Sequence, residues 1–265
     1  MRGEAEQNCF EVVKKNQNYE NFFAMSYKDR DLIKDIFEKA KPNENLNAFP
    51  DFIFDNGFIE HFQVTSSAEG RKGSLMEREK AGLHQDYNER VKEVSKNLSK
   101  DGITIQSVST PQYWHQSHSY ENFVQSFESN LDHHIKNMEK YSGKKDLKVF
   151  MVEYSDSALR MNKVYPKDLM KEVSYGDLIK REPPTYRLSR DIELLKYLYD
   201  KRNHIDFLIF VNNNCFHNVD VDIIKVSNAL EITKLLYDGY VFYCAMVGTA
   251  EIGIGVSVPN SKGDL

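Results

Sequence analysis

Two segments constrain the fold more than any others. Leu147 to Tyr154 and Ile205 to Val211 are nearly continuous apolar runs, each of strand length and rich in β-branched and aromatic residues. A strand that is apolar on both sides has to be covered on both faces, which places it inside a sheet packed between helices. Residues suited to that covering are present. Leu32, Ile33, Ile36 and Phe37 repeat at helical spacing within Lys28 to Lys41, and Pro42 forbids continuation. Phe123, Phe127, Leu131, Ile135 and Met138 line one face of a helix expected over Tyr120 to Tyr141, and Leu83, Tyr87, Val91, Val94 and Leu98 line another over Leu75 to Lys100. Further helices are expected at Phe10 to Met25 and Asp191 to Lys201, with further strands at Ile103 to Val108 and within 240–258. The alternation predicts an α/β fold, a central mixed β-sheet flanked by helices.

A chain of 265 residues lies near the upper edge of what one core organises. A single α/β domain spanning 1–265, or a core carrying a large helical insertion, is therefore expected. No run approaches the roughly 20 apolar residues that a membrane helix requires. Met1 to Lys15 mixes both charges without a secretory apolar stretch, and Cys9, Cys215 and Cys244 form no CxxC. These features predict a soluble cytoplasmic protein with reduced thiols, Cys215 and Cys244 packing in apolar strands. The net charge of -5 excludes a broadly basic nucleic-acid binder. It leaves room for an enzyme with a local basic surface, because phosphate attraction acts mainly within a Debye length of about 8 Å.

Chemistry concentrates between Phe49 and Ser67. Phe49-Pro50-Asp51-Phe52-Ile53-Phe54, then Asp55-Asn56-Gly57, then Phe58 to Thr65 reads as a β-hairpin. A two-residue turn at Asn56-Gly57 would mix acids with phenylalanines on both faces. A three-residue loop, Asp55-Asn56-Gly57, with Gly57 left-handed, pairs Phe54 with Phe58 and Asp51 with His61 and separates the faces better. Asp51, His61, Gln63 and Thr65 then share one face, opposite Phe52, Phe54, Phe58, Phe62 and Val64 with Glu60.

A helix, a strand opening on Pro50-Asp51, a turn, a second strand with polar residues two apart and a following helix resembles the core of the PD-(D/E)XK, or restriction-endonuclease-like, nuclease superfamily. In that family the Asp and the next acid hold Mg²⁺, and the Lys helps to activate or position the attacking water. The resemblance spans about 28–100 and reaches the later strands 147–154, 205–211 and 240–258 by architecture. It implies a metal-dependent endonuclease hydrolysing phosphodiester bonds, DNA in particular, with Mg²⁺ or Mn²⁺ as cofactor, in a bacterial antiviral defence or restriction setting. A homodimer or a defence-system partner protein is the assembly it implies. Carried over, Asp51 is a metal ligand, His61 a ligand or water-orienting base in place of the second acid, and Gln63 the occupant of the lysine position. Glu60 joins the metal set under the shorter turn, Lys72 reaches phosphate from the following loop, and Glu20 or Glu38 adds a carboxylate from the preceding helices.

Other features carry weaker signals. His115, His118, His133 and His134 fit no zinc spacing, since neighbours on a helix point about 100° apart, and read as solvated positions. Arg71-Lys72-Gly73-Ser74, with Ser74 as N-cap, offers a phosphate cradle before a helix. Trp114 reads as packed on a helix, and Glu153 as a strand-end carboxylate turned to solvent. The rival to the nuclease is a binding or assembly module that keeps the fold without the acid-x-lysine pair; a small-molecule or nucleotide sensor is a third class.

Overall fold

The computed structural model describes residues 3–45, 48–70, 73–96, 104–164, 185–213, 219–235 and 239–257. Its helices are α1 (Glu4–Lys15), α2 (Tyr27–Lys39), α3 (Leu75–Lys96), α4 (Tyr120–Lys140), α5 (Ile192–Asp200) and α6 (Ala229–Leu235). The strands up to α4 are β1 (Phe22–Phe23), β2 (Lys41–Pro42), β3 (Phe52–Phe54), β4 (Gly57–Val64), β5 (Glu69–Gly70), β6 (Gly73–Ser74), β7 (Thr104–Ser109) and β8 (Tyr113–His115). Those after it are β9 (Leu147–Tyr154), β10 (Leu159–Val164), β11 (Phe207–Asn212), β12 (Asp220–Lys225), β13 (Gly239–Cys244), β14 (Val247–Thr249) and β15 (Ile252–Ser257). They fall into two units, Met1–Ser66 with Ser119–Ala245, and Ser67–His118 with Met246–Leu265.

The first unit is α/β. Seven strands form a mixed sheet in the order β1-β12-β11-β9-β4-β3-β2, in which β4, β9 and β11 run parallel and β3 and β2 fold back antiparallel. The two long apolar runs are the central strands β9 and β11, as their composition requires. One face packs Phe58, Phe62, Val64, Phe150 and Val152 against α4, α5 and α6 through residues such as Phe127, Leu131, Leu195 and Ile232. The other packs Phe52, Ile59, Val149, Met151 and Ile209 against α1 and α2 through Cys9, Phe10, Val13, Ile33 and Phe37. Phe10 stacks between Phe37 and Phe52, with ring centroids 4.8 and 4.5 Å apart, so α1 and α2 are locked to the hairpin by aromatic contact. Ser26 and Asp29 form a capping box at the start of α2, and Asp29 also accepts from Lys225 at 2.7 Å, tying that helix end to β12. The first helix ends at Lys15 rather than continuing to Met25: a 3-10 turn at Tyr19–Asn21 leads into β1, whose Phe22 and Phe23 pair with Ile223 and Ile224.

The second unit contains α3 and the short strand pairs β5-β6, β7-β15 and β8-β14. Ser74 precedes α3, but its Oγ makes no hydrogen bond; the helix is capped instead by Ser67 Oγ, which accepts from Met76 N at 3.2 Å. His115 is buried, not solvated, between Glu79 (2.6 Å) and Thr249 (2.7 Å). Trp114 stays half exposed, packed over the backbone of Gly248 in the neighbouring strand rather than on a helix. Gly253, likewise in a strand, is approached by the Tyr87 hydroxyl. Lys72, with Arg71, and Cys215 lie outside the described residues.

The hairpin register differs from the expected one. Phe54 pairs with Gly57, Ile53 with Phe58 and Phe52 with Ile59, so the turn is the two residues Asp55-Asn56. Gly57 is not the left-handed turn residue; it is the first residue of β4. The reason it is glycine is contact: a Cβ there would lie 2.0 Å from the Leu147 carbonyl oxygen and 2.8 Å from the Phe54 ring. The one-residue slip inverts one strand against the other. Phe52 and Phe54 therefore face α1 and α2, while Phe58, Phe62 and Val64 face α4.

Substituting Gly57→Ala should destabilise the protein by about 2 kcal/mol or more, because the clash is with backbone at the start of the β4–β9 ladder. Denaturant unfolding measures it; a loss below about 0.5 kcal/mol would contradict this register.

Candidate functional site

The site runs from the middle of β4, where Glu60 and His61 lie, to the carboxyl ends of β4 and β9, where Gln63 stands beside Glu153. Alternation along β4 sends Glu60 to the α4 side and His61 and Gln63 to the α1 side. Asp51, one residue before β3, joins them at the edge. Its backbone is held by Asn43, which donates through its N–H to Asp51 O at 2.7 Å and through Nδ2 to Pro50 O at 2.7 Å. With Asp51 outside the β3–β4 pairing, its own carboxylate supplies the acceptor for the His61 N–H, at 2.7 Å. In return Asp51 N donates to Glu60 Oε2 at 3.2 Å.

On the α4 side, Glu60 Oε1 lies 2.6 Å from His134 Nδ1, and the imidazole stacks on Phe62 with centroids 4.7 Å apart. Burial and the neighbouring Asp51 push the Glu60 carboxyl up to about 9. Burial pulls His134 down to about 4 against the attraction of Asp51, and burial raises Asp51 despite its bond from His61. These directions describe a neutral pair, in which protonated Glu60 donates to the His134 imidazole while its other oxygen accepts from Asp51 N.

On the α1 side, Gln63 pairs with Glu153 across the β4–β9 ladder, and its Nε2 donates to Glu153 Oε2 at 3.0 Å. Asn213, just past β11, donates to Glu153 Oε1 at 3.1 Å. His61 Nε2 sits 3.3 Å from Glu153 Oε2, at an angle that does not make it a hydrogen bond. Burial alone would raise Glu153, yet the contacts from His61, Gln63 and Asn213 hold it below the usual carboxylate range. Cys9, on the buried face of α1, completes the group: one ligand atom each from Cys9, His61 and Glu153 lie within 4.8 Å of one another. Burial, with Glu153 adding its charge, keeps the Cys9 thiol well above its ordinary value.

No family model, curated protein or solved structure matches the chain. The site's own geometry must therefore carry the functional reading.

Asp51, Glu60, His61 and Gln63 all lie at this edge, but not on one face. Asp51 and Glu60 come together with His134, whereas His61 and Gln63 gather with Glu153 and Cys9. The expected common face of Asp51, His61, Gln63 and Thr65 is thus divided by the register. Thr65 bonds elsewhere, donating to Asp156 at 2.6 Å. Of the helix acids, Glu38 pairs with Lys14 at 3.1 Å, and Glu20 lines a cleft with Arg187 and Asp220. The acids gathered here beside Asp51 are Glu60 and Glu153, the latter buried rather than turned to solvent. His134 is likewise part of the site rather than solvated.

Glu60 makes stability depend on pH. An acid whose folded value is raised contributes stability that is full below its unfolded value near 4.5 and is lost as pH rises toward about 9. His134, whose folded value is lowered, acts in the opposite sense below about 6.5, so the window for Glu60 alone lies above it. Glu60→Gln should therefore gain stability relative to wild type between about pH 6.5 and about pH 9 in denaturant titrations. Parallel pH profiles would contradict the neutral Glu60–His134 pair.

Proposed function

We propose that the protein is a metal-dependent phosphodiester hydrolase acting on nucleic acid, DNA in particular, at the Asp51–Glu60 edge of the sheet. The observation that carries the reading is the pair of carboxyl groups, half-buried Asp51 and buried Glu60, brought side by side by the hairpin register; among the described residues neither is paired with a lysine or arginine. Such a pair is poorly stable when both groups ionise, and a divalent cation supplies the missing positive charge. The donor set is all oxygen, which suits a hard ion such as Mg²⁺ or Mn²⁺. Bound there, the ion would lower the pKa of a water and offset charge on the phosphate.

The chain's own groups have distinct parts. Asp51 and Glu60 would hold the ion, with the Glu60 proton passing to solvent. His134, now bonded to Glu60, would then be available as a proton acceptor. Gln63 occupies the position of the water-activating lysine, but its amide is engaged with Glu153, so it orients and does not supply charge. The element succession behind the resemblance, a helix, a Pro-Asp strand start, a second strand with polar residues two apart and a helix, corresponds to α2, β3, β4 and α3, of which α3 belongs to the second unit. A defence or restriction role, a dimer and a protein partner follow from that resemblance alone.

The bonding of Gln63 to Glu153 also favours a second reading, a nucleic-acid-binding or assembly module with no hydrolysis. Incubation with plasmid DNA and with RNA in Mg²⁺ or Mn²⁺ separates the two. The hydrolase reading predicts cleavage that falls by roughly 100-fold or more in Asp51→Ala and in Glu60→Ala. Cleavage that survives both substitutions would sink this site, and metal-independent nucleic-acid binding without cleavage would favour the module.

A further inference from the structure

We propose that Cys9, His61 and Glu153 form a second metal centre, one that takes a borderline transition ion, Zn²⁺ first, through a thiolate, an imidazole and a carboxylate. It lies on the α1 side of β4, on the opposite face from Glu60, and its donor chemistry differs from the all-oxygen pair. The inference does not depend on phosphodiester chemistry.

Two independent observations carry it. The first is convergence: Sγ of Cys9, a ring nitrogen of His61 and a carboxylate oxygen of Glu153 lie within 4.8 Å of one another, and all three residues are buried. Tetrahedral ligands at about 2.0 to 2.3 Å from Zn²⁺ stand roughly 3.3 to 3.8 Å apart, so the His61–Glu153 separation already suits the ion. That separation is 3.3 Å. Closing the group requires the Cys9 sulfur to approach the other two ligands by up to about 1.3 Å. The second observation is an orphan. His61 has a side chain only 4% exposed, yet its Nε2 has no hydrogen-bond partner, although it lies 3.3 Å from Glu153 Oε2. A buried polar atom without a partner costs free energy, and a metal ligand is one of the roles that accounts for it.

The surroundings are those of a ligand set rather than of an incidental contact. Gln63 holds one oxygen of Glu153 and Asn213 the other, which fixes the carboxylate's orientation as outer partners of metal ligands do. Cys9 is carried on a helix whose neighbours Phe10 and Val13 are packed in the core, so its position is set by α1. A mixed sulfur, nitrogen and oxygen set selects against Mg²⁺ and Ca²⁺ and suits Zn²⁺, with Co²⁺ as a faithful substitute. Three protein ligands leave a fourth position for water or a substrate atom. On binding, the Cys9 S–H bond breaks, sulfur keeps the electron pair and donates it to the metal, and the proton passes to solvent; no oxidant or reductant is needed.

Titration of the full chain with Co²⁺, followed by absorption spectroscopy, tests the proposal. Wild type should develop a thiolate-to-cobalt charge-transfer band that saturates at one equivalent, together with the visible bands of a four-coordinate ion. Cys9→Ser should lose the charge-transfer band, and Cys244→Ser should keep it. Gln63→Ala, which loosens the carboxylate without removing a ligand, should weaken binding by roughly 10- to 100-fold. Circular dichroism of each metal-free variant checks that it is folded, and Glu153→Gln replaces any variant that is not, with the same loss of affinity expected. Absence of saturable binding, or a charge-transfer band that survives Cys9→Ser, would overturn the centre. Because Mg²⁺-supported cleavage is read separately, failure here and failure of the hydrolase reading are distinguishable.

Discussion

Along β4 and β9 the backbones run parallel from Gly57 beside Leu147 to Val64 beside Tyr154, and each side chain of the site takes its place from that ladder. Gly57 lets the ladder begin, because only a residue without Cβ fits against the Leu147 carbonyl. Six residues on, the same register sets Gln63 against Glu153. Period-two alternation then divides the edge, with Glu60 facing α4 and His61 facing α1. A slip of one residue would exchange the two sets and bury the wrong side chains in both cores.

The arrangement puts ionisable groups where a sheet of this kind can least accommodate them. Both faces of β9 and β11 are covered by apolar side chains, and such surroundings disfavour charge. Around the middle of β4 and the carboxyl end of β9 the apolar layers give way to Asp51, Glu60, His61, His134 and Glu153. Each carboxyl is satisfied by specific donors, Asp51 by the His61 N–H, Glu60 by the Asp51 N–H, and Glu153 by Gln63 and Asn213. His61 Nε2 is the atom that this network leaves over. A polar cluster this concentrated at one edge is what functional sites look like in energetic terms, since a core of the same shape is cheaper to build from hydrocarbon.

Much of this was readable from local pattern. The doubly apolar runs became β9 and β11, the 3.6-residue stripes became α2, α3 and α4, and the hairpin with its polar edge was recognisable from Pro50 to Thr65. What escaped depended on distant contacts. Gly57 next to Asp55-Asn56 has the composition of a left-handed turn residue, and only the approach of Leu147, 90 positions later in the chain, makes it a strand residue. Glu153 stands at the end of an apolar run and gives no local sign that Gln63 and His61 will meet it. Cys9 is one apolar residue of an amphipathic helix, and His134 one polar residue of another. Their signal was their mismatch with the stripe around them: an acid closing a buried strand, a thiol on the core face of α1. Helix α1 was drawn too long because Tyr19 to Met25 is apolar enough to continue it, whereas pairing of Phe22 and Phe23 with β12 takes those residues into the sheet.

The central claim is that this sheet edge is a metal centre, with oxygen donors on one face and a sulfur, nitrogen and oxygen set on the other. Anomalous diffraction from crystals of the full chain, equilibrated with Mn²⁺ and separately with Zn²⁺, tests it most directly. The account predicts a manganese peak at the carboxyl groups of Asp51 and Glu60, with His134 withdrawn, and a zinc peak among Cys9 Sγ, His61 Nε2 and Glu153. Maps with no anomalous density at either place, and Glu60 still bonded to His134 in the presence of both ions, would contradict it.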